Sequence, residues 1–216
     1  MPDRQTRQLI VDTALRLFRE QGYAATTMRG IAAAAGVSVG NAYYWFSGKD
    51  ELVQAFYGDI QDEHRERAAA VLAASTDLGE RLRGVLHTGI DVMAPHHAFG
   101  GAFVRVAIDP ASPSSPFSAE SQQAREAAVG LFREVLDGSR ASLTPELREA
   151  LPELLWLSYL GVTLFWVHDR SPDQARTRVL IDGLVPLIAR GLRMARLPAV
   201  RSVVADAVRL VAAVRS

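Results

Sequence analysis

Residues 26–52 of this chain read TTMRGIAAAAGVSVGNAYYWFSGKDEL. Apolar side chains recur there at helical spacing and predict a short helix, at Met28, Ile31, Ala32 and Ala35. The threonine pair that opens the stretch can cap the first amides of this helix, and Gly36 is suited to end it. A second short helix is expected from Ser38 to about Trp45, with small and polar residues at its start. This order of a short apolar helix, a glycine turn and a second short helix is the pattern of a helix-turn-helix.

The second helix of such a motif enters the DNA major groove, and its first residues face the base edges. In this chain those residues are Ser38, Val39, Gly40 and Asn41. Serine and asparagine side chains can exchange hydrogen bonds with base edges, and the missing side chain of Gly40 allows a close approach. Val37, Ala42 and Phe46 are expected to face inward. The alternative for the serine is a helix cap, and for the asparagine a solvated polar residue.

A second group of residues is expected to hold the phosphate backbone of DNA, namely Thr27, Tyr43, Tyr44 and Lys49. A phenol one turn after the base-facing residues can reach a phosphate oxygen, and an ammonium group beside free helix amides can bind a phosphate. Lys49 is the only lysine of the chain. The alternative for Lys49 is a solvated charge. For Tyr43, Tyr44 and Trp45 the alternative is an aromatic core cluster.

In this order, the residues resemble the DNA-binding domain of the TetR family of repressors. The family's usual run is matched by Thr26-Thr27, Ile31-Ala32, Ala35-Gly36-Val37-Ser38, Gly40, Tyr43, Trp45-Phe46, Lys49 and Leu52. The chain departs from that run at Trp45 and at Ala42, which is smaller than the usual leucine. The resemblance implies an all-α protein with an N-terminal three-helix, helix-turn-helix DNA-binding domain at residues 1–50. A long helix would join it to a larger helical effector-binding and dimerisation domain at residues 51–216.

Helical periodicity continues through the rest of the chain, and we find no clear alternating strand pattern. The first helix is predicted from about Thr6 to Gln21, and a long helix from Lys49 toward Ala74. Further helices are predicted at about residues 77–94, 97–108, 118–137, 145–169, 173–194 and 199–215. A surface loop is expected at 109–118, where prolines stand among serines. Pro152 can open a separate helix after a short turn, and Pro186 is expected to kink its helix or end it early.

The body after residue 50 carries no motif, so its roles follow from the resemblance and from its apolar faces. An apolar effector pocket is predicted from methionine and aromatic side chains, at Met93, Phe99, Phe103, Phe117, Trp156, Tyr159 and Trp166. A homodimer face is predicted from leucines of two long helices, at Leu151, Leu155, Leu180, Leu184 and Leu187. The alternative for every one of these side chains is the ordinary hydrophobic core.

Composition limits the remaining classes of protein. The formal net charge is zero, so a basic surface for DNA must be local, and residues 1–49 carry six basic side chains against three acidic ones. The chain has no cysteine, which excludes a disulfide framework, a thiolate metal site and a cysteine nucleophile. The polar start has no apolar signal-peptide core, so a cytoplasmic protein without a membrane partner is expected. The sequence implies no cofactor.

Two other hypotheses use the same residues. Gly36-Val37-Ser38-Val39-Gly40 fits the G-x-S-x-G nucleophile elbow of serine hydrolases, and Asp91 with His168 would complete the chain order of a triad. An elbow needs a β-strand before the serine, whereas the preceding residues are alanine-rich and helical in pattern. His87 and Asp91 can share a helix face, but a third metal ligand at suitable spacing is missing, so no metal site is predicted.

The sequence therefore predicts a ligand-responsive transcriptional regulator that is not an enzyme. It is expected to bind a pseudo-palindromic operator in double-stranded DNA as a homodimer. A small, largely apolar effector is expected to release it, as for a repressor. A serine hydrolase that uses Ser38 is the alternative.

Overall fold

The computed structural model describes residues 2–109, 112–194 and 206. All regular structure in these residues is helical, so the all-α prediction is confirmed. In chain order the helices are α1 (Pro2–Gln21), α2 (Met28–Ala35), α3 (Val39–Trp45), α4 (Lys49–Ala74), α5 (Leu78–Met93), α6 (His97–Ala107), α7 (Gln122–Asp137), α8 (Pro145–His168) and α9 (Ala175–Met194). Short 3-10 turns precede two of them, at Ala94–His96 and Pro172–Gln174.

The described residues divide into two compact units. The first unit draws on Met1–Asp62 and Pro95–Arg125, and the second draws on Glu63–Ala94 and Glu126–Ser216. The division falls inside α4, and α6 joins the N-terminal helices in the first unit. The predicted domains were defined by function, with DNA binding at 1–50 and effector binding and dimerisation at 51–216. The two packing units do not test these functions, so the domains stay a prediction.

In the first unit, α2 packs on both α1 and α3, and α6 packs on α1. Their shared apolar core includes Ile10, Val11, Ala14, Phe18, Ile31, Ala32, Ala42, Phe46 and Phe99. Thr27 caps α2, because its hydroxyl oxygen accepts the N–H of Gly30 at 3.0 Å. The helix ends at Gly36, whose φ of 69° lies in the left-handed region that favours glycine. The predicted cap and stop signals of α2 are thus confirmed.

In the second unit, α5 packs on α8 and α9, and α8 packs on α9. The core between helices of this unit includes Leu82, Val85, Leu86, Ile90, Phe132, Val135, Leu136, Leu155, Trp156, Val162, Ile181 and Val185. Within the described residues, α8 is the one helix long and apolar enough to cross a membrane, and half of its most apolar stretch is buried in the protein. Its buried residues include Trp156, Tyr159 and Trp166, as for the core helix of a helical bundle.

Arg81 is one of the buried polar groups of the second unit and is 5% exposed. Among the described residues, its guanidinium donates to main-chain carbonyls alone, those of Val135 at 2.9 Å, Glu134 at 2.6 Å, Ser75 at 2.9 Å and Leu72. These bonds join the end of α4 and the turn after it to α5 and α7. Gly138 leaves room for the guanidinium, since a Cβ at that position would lie 2.2 Å from Arg81 Nη2.

One proline expectation is wrong, and for the second proline one of the two expected outcomes, an early helix end, is excluded. The helix α8 is continuous from Pro145 to His168, so Pro152 does not open a separate helix. The helix α9 runs through Pro186 to Met194 and does not end early. A proline inside a helix removes one main-chain hydrogen bond, and burial of the apolar faces on both sides of it outweighs that loss. The helix predicted at 199–215 lies outside the described residues.

The start of α7 also differs from the prediction, at Gln122 instead of residue 118. Serine side chains hold the preceding residues in turns. The hydroxyl of Ser118 donates to the carbonyl of Pro113 at 2.7 Å and accepts the N–H of Ser121 at 3.1 Å. Helical periodicity cannot detect this local competition between side-chain and main-chain hydrogen bonds.

Replacing Arg81 by methionine should lower the free energy of unfolding by about 3 kcal/mol or more, because four buried carbonyls lose a charged donor. Urea denaturation of the purified protein measures this change. Arg83→Met is the control, since Arg83 makes an exposed ion pair with Asp182 at 3.2 Å and should cost less than about 1 kcal/mol. Equal losses in the two variants would contradict the role assigned to Arg81.

Candidate functional site

The helix α3 is held by one face and presents the other to solvent. On the inward face, Ala42 is 0% exposed and Phe46, which follows the last turn, is 2% exposed. All four predicted base-facing residues are exposed, Ser38, Val39, Gly40 and Asn41. A single exposed helix face fits the major groove of B-DNA, which is about 12 Å wide. The arrangement required for groove entry is therefore present.

The two aliphatic hydroxyls of the predicted site, those of Thr27 and Ser38, cap helices. The Ser38 oxygen accepts the N–H of Asn41 at 3.1 Å, and the Thr27 oxygen accepts the N–H of Gly30 at 3.0 Å. The capping alternative for Ser38 is thus confirmed. Each hydroxyl keeps its own proton as a donor, so capping is compatible with a contact to DNA. Their DNA contacts stay a prediction.

The two tyrosines of α3 lie on the surface. Tyr43 is 52% exposed and Tyr44 is 76% exposed, so neither belongs to a core cluster. The Tyr44 ring meets the half-buried Trp45 ring edge-on, with centroids 5.2 Å apart and an interplanar angle of 84°. Exposed phenols next to the base-facing residues can reach phosphate oxygens.

Lys49 contacts Tyr23, a residue that the sequence analysis did not single out. The ammonium group donates to the Tyr23 carbonyl at 2.6 Å and lies 4.3 Å from the centroid of the Tyr23 ring. The Tyr23 hydroxyl donates to Asp50, and burial together with this carboxylate raises the pKa of Tyr23 above its usual value. Lys49 is therefore more than a solvated charge, because it ties the start of α4 to the segment after α1. Its remaining N–H donors are still suited to a phosphate.

Arg7 is a second residue that the sequence analysis did not single out. Its guanidinium carbon lies 5.5 Å from the centroid of the Phe46 ring, and Nη1 lies 3.8 Å from Oδ1 of Asp59. Burial raises the pKa of Asp59, and the neighbouring Arg7 opposes that shift. One side chain of α1 thus contacts both the end of α3 and the middle of α4.

The predicted pocket residues fall into both units. In the first unit, Phe99 is 2% exposed, and its ring centroid lies 6.2 Å from that of Phe103. Phe117 is 64% exposed and lies in the turns before α7. Of the three predicted residues in this unit, Phe99 and Phe103 lie together, and the Phe56 ring joins them with its centroid 5.9 Å from that of Phe99.

In the second unit, Met93 and Tyr159 come together, with the phenol 4.0 Å from the Met93 sulfur. His64 is 1% exposed and its ring centroid lies 5.6 Å from that of Tyr159. The His64 Nε2–H donates to the Val85 carbonyl at 2.9 Å, and burial lowers the pKa of His64. A Cβ at Gly89 would lie 2.3 Å from the Tyr159 hydroxyl, so this glycine permits the close approach. Trp156 and Trp166, the other predicted pocket residues of this unit, are 1% and 3% exposed.

The predicted dimer residues divide by exposure. Leu151 and Leu155 are 7% and 4% exposed and pack in the core of the chain itself. Leu180 and Leu187 of α9 are 37% and 63% exposed, and Leu184 is half-buried. The outward face of α8 carries other apolar side chains, at Leu157, Leu164 and Phe165. Because α8 is apolar on both faces, helical periodicity alone could not tell which of its faces points outward.

The geometry at Ser38 differs from a nucleophile elbow. The residues before it form α2 and the turn at Gly36, where an elbow requires a β-strand. His168 donates through Nδ1 to the carbonyl of Leu164 at 2.9 Å, and Asp91 pairs with Arg178 at 2.6 Å. In the part of the chain that the structure describes, no three histidine or acidic side chains are grouped to hold a metal ion.

Two family models match the chain. The model described as "Bacterial regulatory proteins, tetR family" matches residues 10–56, which contain most of α1, all of α2 and α3, and the start of α4. The model described as "Tetracyclin repressor-like, C-terminal domain" matches residues 81–210, more than half of the chain. The chain belongs to the TetR family. The resemblance drawn from residues 26–52 is thereby confirmed.

Known TetR-family proteins resemble this chain in sequence over part of their length and in fold over most of it. The transcriptional repressor KstR2 of Mycobacterium tuberculosis is 30% identical over 89 residues, which are 41% of this chain and 44% of that protein. The match thus spans less than half of this curated relative. FadR from Bacillus halodurans, a fatty acid degradation regulator, has a TM-score of 0.69 at 19% identity and covers 87% of this chain and 96% of its own. FadR from Bacillus subtilis, solved with stearoyl-CoA, has a TM-score of 0.64 at 16% identity over 82% of this chain and 96% of its own. At these identities, the structural likeness shows the TetR fold.

Replacing Lys49 by methionine should destabilise the protein in the absence of DNA by about 1 to 2 kcal/mol, because a charge-assisted hydrogen bond and a cation–π contact are lost. Thermal and urea unfolding monitor the change. Arg29→Met is the matched control, since Arg29 is exposed on α2. If Lys49→Met unfolds as the unmodified protein does, the contact with Tyr23 has no structural role.

Proposed function

We propose that this TetR-family chain is a ligand-responsive repressor that is not an enzyme. It binds a pseudo-palindromic operator as a homodimer and leaves the DNA when a small, largely apolar effector binds. The observation that carries the proposal is the orientation of α3, whose inward face is buried while Ser38–Asn41 lie in solvent. A protein that acts on the chromosome works in the cytoplasm, where we place it.

Base reading is assigned to the first turn of α3. The amide of Asn41 can bind adenine through N6 and N7, and the methyl groups of Val39 can contact a thymine methyl. Gly40 exposes the backbone of the helix, which allows α3 to lie deep in the groove. The backbone contacts are assigned to Thr27, Tyr43, Tyr44 and Lys49, which fix the position of the helix but carry no sequence information.

Dimerisation is assigned to the outward faces of α8 and α9. These two helices pack on each other within the second unit, and both expose apolar side chains, Leu157, Leu164 and Phe165 on α8 and Val179, Leu180 and Leu187 on α9. Gly161 and Gly183 are exposed on the same helices and would let a partner helix approach closely. Two chains joined in this way form a closed, symmetric dimer, which suits a symmetric DNA site.

The dimer must place two α3 helices about 34 to 36 Å apart, so that they enter successive major grooves. An effector that favours a different spacing releases the DNA. A change from mostly bound to mostly released requires a difference in effector affinity of about 5.5 kcal/mol between the two states. We assign the effector to the second unit beside Met93 and Tyr159, near the buried His64. The stearoyl-CoA bound by the Bacillus subtilis FadR supports a ligand with a large apolar part.

Asn41→Ala should reduce operator affinity by about 1 to 3 kcal/mol and relax the preference for the operator over a scrambled duplex. Lys49→Ala and Tyr44→Phe should weaken both duplexes alike, and Lys49→Ala should also lower the salt dependence of binding by about one ion. Fluorescence anisotropy at several salt concentrations, with DNA that flanks the protein's own gene as the operator source, provides the measurement.

Gln123→Ala is the control for these variants, because Gln123 is an exposed polar residue of α7. It should bind both duplexes as the unmodified chain does. If Asn41→Ala loses the same affinity for both duplexes, Asn41 does not read a base. Failure of the unmodified protein to prefer any flanking duplex over random DNA would overturn the proposed function, and ester hydrolysis that depends on Ser38 would favour the alternative.

Leu164→Glu and Leu187→Glu should each give monomers at concentrations where the unmodified protein is dimeric, since a carboxylate would be buried without a partner in the dimer. Sedimentation equilibrium reports the mass. Ile108→Glu, at an apolar residue of the first unit that is 68% exposed, should leave the dimer intact. A dimer that persists in both leucine variants would exclude α8 and α9 as the interface.

A further inference from the structure

The second unit contains a half-open cavity of about 370 Å³. Three segments line it. They are residues 76–79, which lead into α5, the loop at 140–143 between α7 and α8, and the last turns of α9 from Ala189 to Arg193. The main-chain N–H of Arg140 donates to the carbonyl of Thr76 at 2.9 Å and so joins the first two segments. The volume lies in the range of small-molecule sites, which begins at about 300 Å³.

Two arginines, Arg140 and Arg193, line this cavity. Neither guanidinium has a hydrogen bond or an ion pair with another described residue, in contrast to Arg81, Arg83, Arg148 and Arg178 of the same unit. The wall also contains Asp77, whose Oδ1 accepts the N–H of Glu80 at 2.9 Å and thereby caps α5. Two guanidiniums and one carboxylate leave the cavity with one net positive charge.

The rest of the wall combines apolar residues with Thr76 and Ser142. The apolar lining residues come from all three segments, and they are Leu78, Ala141, Leu143, Ala189 and Leu192. A ligand that matches this wall needs one negative charge and an apolar body. A carboxylate suits the charged part, because a guanidinium can bind its two oxygens through a pair of parallel hydrogen bonds.

We propose that this cavity is a binding site for a small organic monocarboxylate with an apolar chain, its carboxylate held by Arg140 and Arg193. None of its lining residues belongs to the predicted effector pocket, so the site goes beyond the proposed function and does not depend on it. The arginines fix the charged end, while the leucines of the three segments cover the chain.

Octanoate, a straight-chain carboxylate, tests the proposal by isothermal titration calorimetry on the full-length protein without DNA. Arg140→Gln and Arg193→Gln should each weaken octanoate binding about fivefold, as expected for a partly exposed ion pair. Arg190→Gln is the matched control, because Arg190 is an exposed arginine of α9 that does not line the cavity, and it should leave binding unchanged. Ala141→Phe should abolish binding by filling the space, and its thermal unfolding should show that the protein still folds.

Two further probes separate the charge from the chain. 1-Octanol has the same chain length without a charge and should bind about fivefold more weakly than octanoate. Inorganic phosphate has charge without a chain and should bind more weakly than octanoate as well. The proposal is overturned if octanol or phosphate binds as tightly as octanoate, if the two arginine variants bind like Arg190→Gln, or if Ala141→Phe still binds. All of these readouts are free of DNA, so the failure of operator binding would leave them unaffected.

Discussion

Burial of Ala42 and Phe46 is the constraint on which the N-terminal unit depends. The helix α3 has only seven residues, and a helix of that length is unstable in water without tertiary contacts. Its structure therefore comes from the contact between its inward face and the other helices of the helix-turn-helix. With α3 held by that face, Ser38 at its N-cap and Asn41 in its first turn remain exposed. Stability and the presentation of the base-facing residues thus have one physical cause.

In the second unit, the helix α8 separates two roles that we assign to it. Its inward face carries Tyr159, which meets His64 and Met93, and its outward face carries Leu164 and Phe165. Six residues along a helix span about 9 Å, so the two groups lie within a short stretch of one rigid element. An effector that shifts Tyr159 would move the proposed dimer face with it.

The sequence predicted those features that depend on local physics. The cap at Thr27, the left-handed Gly36 and the burial of Ala42 follow from side-chain chemistry within a few residues, and the structure has all three. The contacts of Lys49 with Tyr23 and of Arg7 with Phe46 were missed, because the partners are 26 and 39 positions apart and only the packed helices bring them together. The burial of Leu151 and Leu155 within the chain itself was missed for a related reason. A periodic pattern identifies an apolar face but does not state what covers it.

The bonding of Arg81 has a consequence for behaviour in acid. Its partners are main-chain carbonyls, which do not titrate, and arginine stays protonated throughout the range in which proteins fold. The polar contacts between α5 and α9 are of another kind, since Asp182 pairs with Arg83 and His87, and Asp91 pairs with Arg178. The bond with His87 and the nearby Arg83 hold the pKa of Asp182 below its usual range, and acid below that range removes its charge but leaves the Arg81 bonds intact. Acid therefore weakens the exposed ion pairs at Asp182, while the buried apolar contacts and the junction of α4, α5 and α7 are unaffected.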